Sequence, residues 1–206
     1  VEACQGANAA IGVIATGNPK VQWQSATQKE APFSNIDNTN WANYMPSTAS
    51  IGTTFYRALI YSDNQLCHDT SIVVPVTIAP PVSFVGQTKD IVTCADGSSI
   101  LEAQVQGGFA PLNYQWQSSS SDNGPWDDVP LAQDSTYKPN AAPGLSYYRL
   151  VASSSGLGCT SVNSDVAKVE IIAPIRIATE PQGFTACVGS QQTLNVGTSN
   201  PGISQY

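Results

Sequence analysis

A set of aromatic residues occurs twice in this chain at matching distances, and that repetition narrows the folds open to it. Trp23 stands where Trp116 does, and Phe33 lies ten residues after Trp23 as Trp126 lies ten after Trp116. Tyr44-Met45-Pro46 follows the first Trp by 21 residues, as Tyr137-Lys138-Pro139 follows the second. Phe55-Tyr56-Arg57 matches Tyr147-Tyr148-Arg149 in the same way. A period of 90 to 93 residues means that one supersecondary unit is built more than once. In a chain of 206 residues this predicts two ordinary domains, 1–79 and 80–173, with 174–206 as the incomplete opening of a third. Repeat one is expected to lack the leading strand that Val82 to Val92 supplies to repeat two. The joints are short and carry proline: Ala79-Pro80-Pro81 and Ala173-Pro174.

Within each unit the pattern is that of strands. Val21 and Trp23 alternate with Gln22 and Gln24, as a strand with one buried face requires. Thr53 to Ser62 and Tyr147 to Ala152 are rich in β-branched and aromatic residues, and Ile72 to Ile78 and Val162 to Ile172 close the two domains. Pro75 inside a strand implies an edge position or a bulge. No amphipathic helix of useful length is present. About seven short strands per repeat, set apart by Gly, Pro and Asn turns, predict an all-β fold of tandem immunoglobulin-like β-sandwich repeats. Trp23 and Tyr56 in repeat one, and Trp116 and Tyr148 in repeat two, are the expected core residues, because the same geometry demands each twice. Ile100, Val105, Tyr114, Leu150 and Val166 are expected to join the second core, with Phe33 and Trp126 covering the end of each.

Cysteines frame each copy. Cys4 and Cys67 are 63 residues apart, Cys94 and Cys159 are 65 apart, and Cys187 opens the third copy. Four cysteines allow three pairings, and the repeat favours Cys4 to Cys67 with Cys94 to Cys159. Closing a loop of about 65 residues would stabilise each repeat by roughly 4 kcal/mol on the loop-entropy account. Paired cysteines point to an oxidising, extracellular compartment. No apolar run reaches the 18 residues that span a bilayer, and no signal peptide is present, so the chain is expected neither to insert in a membrane nor to be a full precursor.

Eight Lys and Arg against 15 Asp and Glu give a net charge of −7, of which −5 falls in residues 81–173. A nucleic-acid partner is therefore excluded on electrostatic grounds. Candidate chemistry is thin. His68 is the single histidine, with neither the neighbours a zinc site needs nor a repeated counterpart for a Ser-His-Asp triad, since Thr160 follows Cys159. Asp127 and Asp128, with Asp122 and Asp134 nearby, offer hard oxygen ligands for calcium. Ser34 and Asn35 replace the central pair in repeat one, however, and a solvated turn is the simpler reading. Paired carboxylates for glycoside hydrolysis would need a groove that a small sandwich rarely provides. No catalytic residue, metal ligand or cofactor is expected. Trp41, in the polar stretch Asn38 to Asn43, has no counterpart in repeat two; it is a candidate glycan contact, set against local packing on Tyr44.

The Tyr-Gln-Trp and Tyr-Tyr-Arg strands, the Gly124-Pro125-Trp126 turn and the Cys-x-Gly starts at Cys4-Gln5-Gly6 and Cys187-Val188-Gly189 resemble the immunoglobulin-like repeats of very large Bacteroidota surface proteins, prominent among them gliding-motility adhesins of the SprB type. The resemblance implies a cell-surface stalk exported by type IX secretion, with neighbouring repeats of the same polypeptide as its partners and surface glycans or other surface proteins as distal ones. It also carries a departure. The usual immunoglobulin disulfide joins strands on either side of the core Trp, whereas these cysteines lie at the domain start and after the Tyr pair. The expected function is a structural stalk segment; the alternative is a carbohydrate-binding module acting through Trp41.

Overall fold

Val21 and Trp23 point to one side of an extended backbone and Gln22 and Gln24 to the other, and the fold grows from this alternation. The computed structural model describes residues 1–17, 19–62, 67–95, 97 and 99–198. Repeat one contains β1 (Glu2–Cys4), β2 (Ile11–Gly12), β3 (Lys20–Ala26), β4 (Ser34–Asn35), β5 (Asn43–Tyr44), β6 (Gly52–Tyr61), β7 (His68–Thr70) and β8 (Val74–Ala79). Its main sheet runs β1-β8-β6-β3-β4, with β7 also on β6, and β2 pairs with β5 as a smaller second layer. Repeat two contains β9 (Ser83–Gly86), β10 (Ile91–Cys94), β11 (Leu101–Glu102), β12 (Gln104–Gln106), β13 (Asn113–Ser119), β14 (Asp127–Asp128), β15 (Thr136–Tyr137), β16 (Gly144–Ser153), β17 (Val162–Asn163) and β18 (Ala167–Ile172). Its main sheet, β10-β18-β16-β13-β14 with β17 on β16, has the same order, and β11 pairs with β15 as β2 does with β5. In both sheets the first strand is parallel to the last, whereas the remaining pairs are antiparallel.

The opening of repeat two recurs beyond residue 173. β9 pairs with β12 through Phe84 opposite Val105 and Gly86 opposite Gln104. Strands β19 (Ile177–Thr179) and β20 (Gly197–Thr198) pair through Ile177 opposite Thr198 and Thr179 opposite Gly197, the same register moved on by one period.

Each core is closed by three rings. Tyr44 lies 6.0 Å from Trp23 and 5.7 Å from Tyr56, and Tyr137 lies 5.9 Å from Trp116 and 5.6 Å from Tyr148. Offset and tilted pairs of this kind add roughly 1 kcal/mol each beyond their burial. Trp23, Tyr56, Trp116 and Tyr148 are buried. The second core differs from the sequence expectation in phase: Ile100 is 59% exposed and Val166 37% exposed, while their neighbours Leu101 and Ala167 face inward. Val105 is half-buried and lies on the β9 pair, outside the aromatic cluster, and Tyr114 packs against that cluster from its edge.

The long strands β6 and β16 start at Gly52 and Gly144, with φ of 134° and 144°, a region from which side-chain-bearing residues are largely excluded. Pro75 sits in β8, which is an inner strand flanked by β1 and β6. Pairing with β1 begins only at Thr77, so Pro75 lies where that flank is still open, and its carbonyl meets the Val1 amino group there at 2.8 Å. Repeat two has Lys168 at this place, and its amide donates to Asp90 Oδ1 at 2.8 Å.

Candidate functional site: the joint between the repeats

The Gln-Trp-Gln triplet shows how tightly each repeat uses its sequence. Gln22 Nε2 donates to the Ile36 carbonyl and Gln115 Nε2 to that of Val129, both at 2.8 Å, holding the following loop to the sheet. Trp23 Nε1 donates to the Trp41 carbonyl at 3.0 Å and Trp116 Nε1 to that of Asp134 at 2.9 Å. Gln24 and Gln117 reach the outer face, where they donate to Asn35 Oδ1 and Asp128 Oδ1 and accept from Arg57 Nε and Arg149 Nε at 2.8 Å. Each guanidinium in turn lies over an aromatic ring, Arg57 over Phe33 at 4.3 Å and Arg149 over Trp126 at 4.5 Å. Phe33 and Trp126 therefore do not cover the core ends, as expected from sequence; they are platforms for arginine on the outer face. Asp128 occupies the place of an uncharged Asn35 and is engaged by Gln117.

What is special to this chain lies where one repeat meets the next. The expected disulfides, Cys4 to Cys67 and Cys94 to Cys159, are not the ones formed. Cys4 is bonded to Cys159, with Cα atoms 5.0 Å apart, and Cys67, Cys94 and Cys187 are free and exposed. Strand length explains the correction. Cys4 pairs with Ala79 beside the Gly52 end of β6, while Cys67 follows the Tyr61 end. Nine residue steps of β6 place those ends roughly 30 Å apart, far beyond the about 7 Å that a disulfide can bridge. The cysteine at the far end of the next repeat is the one within reach.

Backbone contacts surround the bond. The Cys4 amide donates to the Leu157 carbonyl and the Leu157 amide to that of Glu2, both at 2.9 Å, with Ala3 and Leu157 forming a parallel bridge between the domains. The Gly108 amide donates to the Pro80 carbonyl at 2.8 Å, which fastens the linker to repeat two. Val82 and Ala79 are buried at the joint. Glycine allows this approach at two places in particular. A Cβ on Gly107, whose φ is 81°, would collide with the Pro81 carbonyl, and one on Gly158, whose φ is 69°, would collide with the Ala7 methyl. The joint was missed at the sequence stage of reading cysteines by spacing alone, although Gly107-Gly108 and Gly156-Leu157-Gly158-Cys159 mark it in repeat two.

The remaining candidates are placed plainly. His68 lies in β7 beside the free Cys67, and among the described residues no group of three or more His, Cys, Asp or Glu side chains is gathered to hold a metal. No helix among them is long and apolar enough to cross a membrane. The Trp41 side chain is 73% exposed above a shallow depression formed with Val13, Pro19, Val21 and Asn40, and it is Tyr44 that turns inward onto Trp23. Burial, and for two of the three a neighbouring tyrosine, raise the phenol pKa values of Tyr56, Tyr137 and Tyr148 above the ordinary range; Tyr44 acts on Tyr56 and Tyr148 on Tyr137.

The family model described as Domain of unknown function (DUF8696) matches residues 2–80 and again 85–173. The chain belongs to this family. Its two DUF8696 copies have the immunoglobulin-like β-sandwich fold: the "I-band fragment I67-I69 from titin" superposes with a TM-score of 0.57 at 10% identity, covering 98% of this chain and 73% of that one. An E-to-A variant of titin I67-I69 gives 0.56 at 10% identity, covering 97% and 73%. No curated protein matches the DUF8696 chain.

Proposed function

We propose that this chain is a segment of a stiff extracellular stalk in a repetitive surface adhesin, holding a distal adhesive region away from the cell. The single observation that carries the reading is the joint: a disulfide, a pair of backbone hydrogen bonds and a short Pro-containing linker all restrain the same contact between the domain ends. A structural disulfide of this kind fits an oxidising compartment. The likeness of the Tyr-Gln-Trp and Tyr-Tyr-Arg strands to Bacteroidota surface repeats supports a cell-surface setting reached by type IX secretion and a part in attachment or gliding. Neighbouring repeats of the same polypeptide are the immediate partners. Small-angle scattering tests the reading. A compact globule of about 180 residues would have a radius of gyration of roughly 16 Å; the stalk reading requires a clearly larger value under oxidising conditions, and a profile fitting a compact sphere defeats it.

The exposed indole of Trp41, with Asn40 beside it, favours a second reading as a carbohydrate-binding module. A glycan array followed by titration of a hit checks it: saturable binding that Trp41→Ala abolishes would support it, and no binding across a broad panel would remove it.

A further inference from the structure

The Cys4–Cys159 bond accounts for two of the five cysteines, and the repeat says what two of the others are. Cys94 has the backbone setting of Cys4. Cys4 stands opposite Ala79 and Cys94 opposite Ile172, each at the end of the parallel first strand. The next amide donates to the opposing carbonyl in both, Gln5 to Ala79 at 2.9 Å and Ala95 to Ile172 at 3.0 Å. A turn follows in both, closed onto the cysteine carbonyl by Ala7 at 3.0 Å and by Gly97 at 2.8 Å. Cys67 in turn has the place of Cys159, five residues after the serine, Ser62 or Ser154, that follows the long strand.

The surfaces around these thiols also match the two sides of the existing joint. Ala79, at the end of repeat one that repeat two covers, is 7% exposed; its counterpart Ile172 is 41% exposed. At the opposite end, an open cleft of about 440 Å³ adjoins Cys67 and is lined by Thr16, Pro19, Tyr61, Ser62 and His68. In repeat two, Phe109 and Ser154 stand where Thr16 and Ser62 do, and that end is the one that receives Cys4 and Ala7. Ile14, the counterpart of Gly107, is fully exposed on the same side.

We propose that Cys67 and Cys94 are disulfide-forming sites for adjoining repeats of this family: the cleft at Cys67 receives the Cys4-type cysteine of a repeat docked before it, and Cys94 reaches the Cys159-type cysteine of a repeat docked after it. The array is then stapled at every joint, and no repeat contains a disulfide of its own. Each staple forms one S–S bond from two thiols, which lose two protons; the two electrons pass to a disulfide oxidant, such as a thiol oxidoreductase of the oxidising compartment or oxidised glutathione in vitro. The inference rests on the geometry of the joint and not on an adhesive role, so it and the stalk reading can fail separately.

The test uses the whole chain at high concentration in a glutathione redox buffer that keeps Cys4–Cys159 closed. Two copies can reproduce the joint when the Cys94 end of one docks on the Cys67 end of the other. Non-reducing electrophoresis and peptide mass spectrometry should show head-to-tail oligomers whose Cys67–Cys94 link exceeds the Cys67–Cys67 and Cys94–Cys94 links by about tenfold or more, the mark of a docked and not a random encounter. Cys67→Ser and Cys94→Ser, both at exposed positions, should each remove the oligomers, while Cys187→Ser should leave them. A statistical mixture of links, dominance of Cys187, or no Cys67–Cys94 link under these conditions overturns the proposal.

Discussion

Trp23 and Trp116 each do two jobs that a smaller residue cannot share. The ring fills the core against a tyrosine, and its Nε1–H ties down a carbonyl on the following loop. Trp116→Phe keeps most of the ring but leaves the Asp134 carbonyl without its donor, which should cost about 1–3 kcal/mol, whereas Trp116→Ala should cost about 3–5 kcal/mol by opening a cavity. Denaturant unfolding of the two variants checks both values. The tyrosines set an alkaline limit. Tyr56, Tyr137 and Tyr148 have folded-state pKa values raised chiefly by burial, so the fold holds them neutral. Their contribution is fully present below the unfolded tyrosine value of about 10 and is lost as pH rises through the raised values. Ultraviolet titration should therefore show these phenols ionising last, together with loss of the β-sheet circular dichroism signal; ionisation without unfolding would contradict it.

Between β3, β4 and β6, and again between β13, β14 and β16, one chain of side chains crosses the outer face of the sheet. It runs from Asn35 or Asp128 through glutamine and arginine to Phe33 or Trp126. Exchange of Asn for Asp and of Phe for Trp keeps the donors, acceptors and ring faces in place, which is why the brace survives two different compositions. A cation over an exposed ring contributes about 0.5–1 kcal/mol. Arg149→Ala should accordingly destabilise repeat two by about 1–2 kcal/mol, counting the hydrogen bond to Gln117. A double-mutant cycle with Trp126→Ala should show coupling, and strict additivity would mean that the stacked pair contributes nothing.

For the molecule as a whole, the disulfide lies at the joint and leaves each sandwich without a covalent clamp of its own among the described residues. Joint replacement of Cys4 and Cys159 by Ser should therefore leave both aromatic cores folded, with unchanged near-ultraviolet circular dichroism, while broadening the distribution of distances between spin labels placed one on each repeat. Gly158→Ala should act in the same direction by a different route, because its methyl meets Ala7 across the joint. Loss of either core in the double variant would show that the bond stabilises the domains and not their junction.

The period of the sequence determined that two like sandwiches would form, that strands would carry them, and that Trp23, Tyr56, Trp116 and Tyr148 would recur at matching places. These follow from local alternation and from distances along the chain, which a linear reading contains. Two matters were decided only in three dimensions. Ile100-Leu101 and Val166-Ala167 are adjacent apolar pairs, so alternation does not say which member turns inward; the pairing of Leu101 with Tyr137 and of Ala167 with Tyr148 does. The cysteine partners were hidden for a deeper reason. A periodic sequence looks the same after a shift of one whole repeat, so its spacing names the two kinds of cysteine that pair but not the copies they come from. The length of β6 made that choice, by putting Cys4 and Cys67 at opposite ends of one domain and Cys4 and Cys159 at the ends of two domains that meet.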